Sequence, residues 1–224
     1  MKFVGDSGSY SGFSVSNGGD VNADSIDDFI IGGRSASPQG RAQAGRAWIV
    51  FGRNKTRNWT GMMNLTTLTL PDGVVIDGAV AGDYFGFSVS GNVDVNHDGI
   101  SDLIIGSPHA SPNNKSKAGT TTVIFGRKRT WKGEIDTLTD INGTNGFKLI
   151  TENSNDKFEM RVSGAGDVNS DGIQDFIIGA YSWNSYTGRS YVVFGKEEGG
   201  WPAMTNLSTI DGNNGFTLDG SDSN

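Results

Sequence analysis

One pattern occurs three times in this chain, and it constrains the fold more than any single residue does. "GDVNADSIDDFIIGG" begins at Gly19, "VDVNHDGISDLIIGS" at Val93 and "GDVNSDGIQDFIIGA" at Gly166, so that Asp20, Asp94 and Asp167 stand 74 and 73 residues apart. The match extends well beyond this stretch. "SGFSVS", "FGFSVS" and "FEMRVS" lie upstream; "AGRAWIVFG", "AGTTTVIFG" and "TGRSYVVFG" lie downstream, followed by Trp59, Trp131 and Trp201 and then by "GVVIDG", "GFKLI" and "GFTLDG". A repeat of this length is one supersecondary unit that must stack on its neighbours to bury an apolar face.

Each unit holds four short runs rich in Val, Ile and Phe, bounded by Gly, Asn, Asp and Ser, which is the pattern of β-strands. In the first unit they are expected near Gly12–Ser16, Asp28–Ile31, Ala47–Phe51 and Val74–Asp77. No segment of about ten or more residues shows helical periodicity. Four strands per repeat predict an all-β fold, a β-propeller segment of three four-stranded blades over 5–77, 78–150 and 151–220. Complete propellers have about 4–8 blades. Residues 2–4 also read as the last strand of a preceding unit, so the expectation is an open arc of a larger ring, with further blades in the parent chain.

The loop before the second strand of each unit puts oxygen-bearing side chains at alternate positions. Calcium takes about six to eight oxygen ligands, and such alternation can direct them at one centre. The candidate ligands are Asp20, Asn22, Asp24 and Asp28; Asp94, Asn96, Asp98 and Asp102; and Asp167, Asn169, Asp171 and Asp175. Ile26, Ile100 and Ile173 would add backbone carbonyls. Gly99 and Gly172 permit the sharp turn, where the first loop has Ser25. An EF-hand is excluded, because its twelfth position is a bidentate Glu between two helices, and here that position is Ile31, Ile105 or Ile178. About three calcium ions are expected, one per repeat. Magnesium fits less well, since it keeps several waters in a strict octahedron.

On these residues the chain resembles FG-GAP repeats, the blades of integrin α-subunit propellers, and in style the tandem FG-GAP repeats of large bacterial secreted proteins. Both halves of that signature are approached in Phe85-Gly86 and Gly106-Ser107-Pro108; the third unit has Phe158-Glu159 and Gly179-Ala180-Tyr181 instead. The resemblance implies a ring of about seven blades, calcium on one face and ligand-binding loops mostly on the other.

The net charge of −7 opposes a nucleic-acid partner. The absence of cysteine removes disulfides and thiolate sites. No segment has the length of a membrane span or a signal peptide. "GDSG" at Gly5–Gly8 aligns with a strand connection, and His97 and His109 assemble no catalytic triad with it; the paired aspartates are already assigned to metal. The basic runs Arg53, Lys55, Arg57 and Arg127, Lys128, Arg129 read as solvated loops, and unit three has Lys196, Glu197 and Glu198 there. Tyr181, Trp183 and Tyr186 cluster in an irregular part of unit three, where such aromatics either pack within the loop or stack on a sugar. The expectation is therefore a non-catalytic, extracellular or cell-surface calcium-binding module for adhesion or recognition, with a protein or a glycan as candidate ligand. Its rivals are an accessory propeller of a secreted phospholipase- or lyase-type enzyme and a calcium-rigidified spacer.

Overall fold

The computed structural model describes residues 1–54, 56, 59, 61–128, 131–151 and 161–221. Lys55, Arg57, Arg129 and Phe158-Glu159, which the sequence singled out, lie outside the described residues. The strands run in chain order as β1 (Lys2–Val4), β2 (Ser14–Gly19), β3 (Asp28–Gly33), β4 (Arg46–Val50), β5 (Met62–Asn64) and β6 (Gly73–Asp77), then β7 (Ser88–Val93), β8 (Asp102–Ser107), β9 (Thr120–Ile124), β10 (Glu134–Asp136) and β11 (Gly146–Ile150). The third unit contributes β12 (Arg161–Gly166), β13 (Asp175–Ala180), β14 (Arg189–Val193), β15 (Met204–Asn206) and β16 (Gly215–Asp219), with a short α-helix, α1 (Trp183–Tyr186).

The fold is all-β, with three packed propeller-type sheets. The first has the order β10-β6-β4-β3-β2, the second β15-β11-β9-β8-β7 and the third β12-β13-β14-β16. Within each unit the four long strands pair antiparallel, as alternating apolar runs joined by short turns dictate.

Two features differ from the sequence expectation. The first strand of unit one runs to Gly19 rather than ending at Ser16. Asn17-Gly18-Gly19 looks like a turn but forms a β-bulge, with the register shifting between Asn17 and Gly19. Gly19 has φ 69° and donates its N–H to Asn17 Oδ1 at 3.1 Å. The same shift falls between Ser90 and Val93 and between Gly164 and Gly166. Secondly, a fifth strand joins the outer edge of two sheets in parallel: β10 pairs with β6, and β15 with β11. These three-residue strands come from the following unit and are too short to show a period. β1 takes the same parallel place beside β5.

Strand alternation sends one set of residues to each neighbouring sheet. Ile30, Ile49, Val74 and Ile76 of the first sheet meet Val89, Leu103, Ile105 and Ile124 of the second. Ile104, Val123, Phe147 and Leu149 on its other face meet Phe176, Ile178, Tyr191 and Val193 of the third. Burying each such side chain contributes about 1.5–3 kcal/mol. β7 packs between β2 and β12, so the hairpin loops of all three units emerge on one end of the stack. The far face of the third sheet leaves Phe216 40 % and Leu218 55 % exposed. Among the described residues no helix is long and apolar enough to cross a membrane.

Candidate functional site

The three β-hairpin loops between β2 and β3, β7 and β8, and β12 and β13 carry one hydrogen-bond network in triplicate. In the first, Asp20 accepts the N–H groups of Asp24 (2.9 Å) and Ser25 (2.8 Å), Asn22 Oδ1 accepts Asp24 N–H (2.9 Å) and Asp24 Oδ1 accepts Ile26 N–H (2.9 Å). Asp94, Asn96 and Asp98 repeat these bonds to Asp98, Gly99 and Ile100. Asp167, Asn169 and Asp171 repeat them to Asp171, Gly172 and Ile173. Alternating oxygens thus wrap the backbone into successive Asx-turns. That wrapping requires left-handed residues at the fourth and sixth positions: Ala23, His97 and Ser170, then Ser25 (φ 69°), Gly99 (φ 79°) and Gly172 (φ 89°).

At the sixth position Ser25 alone of the three is not glycine, and a left-handed L-residue costs about 1–2 kcal/mol. Ser25→Gly recovers part of this, offset by glycine's greater freedom in the unfolded chain. We expect a gain of about 0.5–1 kcal/mol, or roughly 1–4 °C in melting temperature for a chain of this size. A thermal melt checks it, and a lowered melting temperature would show that the turn is not strained.

The ninth position differs in kind. Asp28, Asp102 and Asp175 are buried, the last two with no exposed surface at all. Asp28 accepts Val21 N–H at 3.0 Å and Gly52 N–H at 2.7 Å. Asp102 accepts Val95 N–H and Gly126 N–H at 2.9 Å each; Asp175 accepts Val168 N–H at 2.8 Å and Gly195 N–H at 2.9 Å. Each carboxylate therefore staples its loop to the end of the third strand of its own unit. Sequence reasoning missed Gly52, Gly126 and Gly195, although the repeated "FG" after each third strand carried the signal. A Cβ there would lie 2.3 Å from Asp27 O, 2.3 Å from Ser101 O and 2.5 Å from Gln174 O.

Burial raises the Asp28 carboxyl to about 7, against the two backbone hydrogen bonds, and the charges of Asp24 and Asp20 push it further. Asp102 is raised well above its ordinary value for the same reasons, with Asp98 and Asp94 as the nearby charges. Neighbouring units hold the loops in line: Arg127 N–H donates to Val21 O and Lys196 N–H to Val95 O, both at 2.9 Å. Among the described residues no backbone N–H donates to Val168 O in the third loop, and Val168 is 48 % exposed.

In donor chemistry the loops fit a hard cation. Each offers three carboxylates and an amide oxygen, several with a lone pair unused by backbone N–H groups, and a positive charge would relieve the repulsion on Asp28 and Asp102. Among the described residues, however, no three carboxylate or imidazole groups close around a common point. Asp27, the additional acid of the first loop, faces solvent.

The aromatic group divides. Tyr181 and Tyr186 are exposed with ring centroids 6.0 Å apart. Trp183 is instead covered by the Arg189 guanidinium at 3.7 Å, which also pairs with Asp219 at 2.5 Å. The repeated tryptophans pack structurally, each beneath a cation from the preceding loop: Arg53 over Trp59, Arg127 over Trp131 and Lys196 over Trp201, at 4.6–4.8 Å. The first cations of the basic runs are thereby occupied within the fold.

The FG-GAP repeat family matches residues 85–124 and 161–193. Integrin alpha-4 of Xenopus laevis is 28 % identical over 88 % of this chain and 16 % of its own length. Integrin alpha-PS2 of Drosophila melanogaster is 31 % identical over 85 % of this chain and 12 % of its own. Phosphatidylinositol-glycan-specific phospholipase D of Dictyostelium discoideum is 28 % identical over 92 % of this chain and 20 % of its own. The chain thus spans a fifth or less of each of these relatives.

Proposed function

Because the chain carries FG-GAP repeats, arranged as packed propeller sheets, we propose that it is a calcium-stabilised, non-catalytic recognition module of an extracellular or cell-surface protein. The observation that carries this reading is the triplicate loop, in which the same four side-chain positions are organised by the same hydrogen bonds. Asp20, Asn22, Asp24 and Asp28, with Ile26 O, would hold one ion. Asp94, Asn96, Asp98, Asp102 and Ile100 O would hold the second, and Asp167, Asn169, Asp171, Asp175 and Ile173 O the third. The ion supplies positive charge between carboxylates; the chain's own residues set the turn and anchor it to the sheet. Extracellular modules bind calcium at about 10⁻⁴–10⁻³ M, which suits the outside of a cell.

Recognition belongs on the opposite end of the strands, where Tyr181 and Tyr186 offer exposed rings for stacking on a glycan. The parallel β1–β5 pair, equivalent to β6–β10, supports reading residues 2–4 as the closing strand of a further blade in the parent protein. The match to a phospholipase D favours a second reading, an accessory propeller beside a catalytic domain.

Calorimetric titration of the chelator-treated chain with calcium tests the main reading. Close to three ions are expected, and two for Asp98→Ala. Absence of binding at millimolar calcium would leave the loops as hydrogen-bonded acidic turns and overturn it.

A further inference from the structure

On the end of the strands away from the acidic loops, the cleft between the first two sheets opens into a cavity of about 430 Å³. Its origin lies in a departure of unit two from the other repeats. In unit one the strand register aligns Gly33 with Arg46 and Arg46 with Asp77, and Ile31 with Trp48 and Trp48 with Val75. There the Trp48 ring fills the space above Gly33, where a Cβ would lie 2.6 Å from it, and Arg46 pairs with buried Asp77 at 2.6 Å. Unit three fills the same positions with Tyr191, which is buried, and with the Arg189–Asp219 pair. Unit two has Thr122 for the aromatic residue, Thr120 for the arginine and Ile150 for the aspartate. Two threonines where both neighbours carry an arginine and a large aromatic ring leave the volume empty.

The emptied space is not a plain apolar void. Asp83, 9 % exposed, and Lys148 both line it. Each feels the other's charge, and Lys148 also feels that of Asp136. Lys148 Nζ donates to Thr137 O at 2.5 Å, which fixes one hydrogen of the ammonium. Burial raises the Asp83 carboxyl to about 6, with Lys148 and the Val80 N–H opposing the shift. Ser107 and the two threonines add hydroxyls, and Val80, Leu138 and Ile150 supply apolar wall. Lys148 is half-buried, and a second cation, Lys117, also lines the cavity but is exposed to solvent. The inner pair is thus one carboxylate and one ammonium, groups that are costly to withdraw from water, and a volume of this size lies in the usual range for small-molecule sites, about 300–1,000 Å³.

We propose that this cavity is a binding site for a small zwitterion, an amino acid with an apolar side chain, whose ammonium meets Asp83 and whose carboxylate meets Lys148. The apolar side chain takes the wall formed by Val80, Leu138 and Ile150, and the Ser and Thr hydroxyls complete the hydrogen bonds. A neutral polyol would leave both charges uncompensated.

The test is calorimetric titration of the full chain with L-leucine and L-methionine, with 4-methylpentanoate, isopentylamine and glucose as comparisons. Leucine or methionine is expected to bind with a dissociation constant below about 10 mM, and each comparison at least about tenfold more weakly, one such factor being roughly 1.4 kcal/mol. Thr122→Trp, which restores the residue of unit one, is expected to abolish binding while the melting temperature holds or rises. Asp83→Asn, which keeps the size, is expected to weaken binding at least about tenfold, so the proposal stays testable should the tryptophan variant misfold. Absence of amino-acid binding, glucose binding in its place, or undiminished binding by either variant overturns it.

Discussion

Asp102→Ala is expected to lower the melting temperature by about 6–12 °C in calcium-free buffer, whereas Asp98→Ala lowers it by no more than about 2 °C. Both residues belong to the same loop and both are candidate calcium ligands, so ion binding alone would not separate them without an ion present. The hydrogen bonds do. Asp102 is fully buried and is the acceptor for Val95 N–H and Gly126 N–H. Alanine leaves both donors without a partner in a site that excludes water, at about 1–3 kcal/mol each. Removing a carboxylate whose own burial is costly returns part of this, so a net loss of about 3 kcal/mol is the expected figure. Asp98 is exposed; its bond to Ile100 N–H is readily replaced by water. Asp102→Asn keeps one acceptor but turns an amide N–H₂ toward the second donor, so it falls between the two. Equal losses for Asp98→Ala and Asp102→Ala would refute the staple.

The fold was legible because its information is repeated. Four apolar runs per unit, three times over, leave few alternatives to stacked sheets, and "DFIIGG", "DLIIGS" and "DFIIGA" form β3, β8 and β13 in full. What escaped was short or non-local. Met62–Asn64 is a strand because it meets β1, and Glu134–Asp136 because it meets β6; three residues carry no period, and parallel pairing leaves no hairpin signal. The bulge at Asn17-Gly18-Gly19 has turn composition but strand pairing. In the loops, the positions of Asp, Asn and Gly were readable from spacing, but the separate duty of the ninth residue was not. Asp28 and Asp24 look alike in sequence; only burial distinguishes a carboxylate facing two backbone N–H groups from one facing solvent. The cavity beside Asp83 is the opposite case, since Thr120 and Thr122 stand in the sequence where the other units carry Arg46 and Trp48 or Arg189 and Tyr191. That loss of volume acquires meaning only when the register shows those side chains filling one space.

Saturating calcium is expected to raise the stability of the chelator-treated chain by about 3–7 kcal/mol, the largest change foreseen for this protein. An ion that binds only the folded state contributes RT ln(1 + [L]/Kd) per site. At about 5 mM calcium this is close to 1 kcal/mol for a Kd of 10⁻³ M and about 2.3 kcal/mol for 10⁻⁴ M, and three loops multiply it. The gain should divide unequally. The second loop has Gly99 at the sixth position and a buried Asn96; the first carries strained Ser25; the third is the most exposed, with Val168 at its surface. Asp98→Ala should therefore remove the largest share of the calcium-dependent gain, and Asp24→Ala or Asp171→Ala less. Because each loop precedes the second strand of its sheet and is stapled to the third, the ion's effect should reach the whole sheet and appear as one cooperative shift in thermal unfolding. Magnesium at the same concentration should produce a smaller rise, since it gives up its waters reluctantly, and excess chelator should reverse the shift. A melting temperature indifferent to calcium would mean that the N–H bonds already satisfy these carboxylates, and that the threefold loop serves the hairpin turn alone.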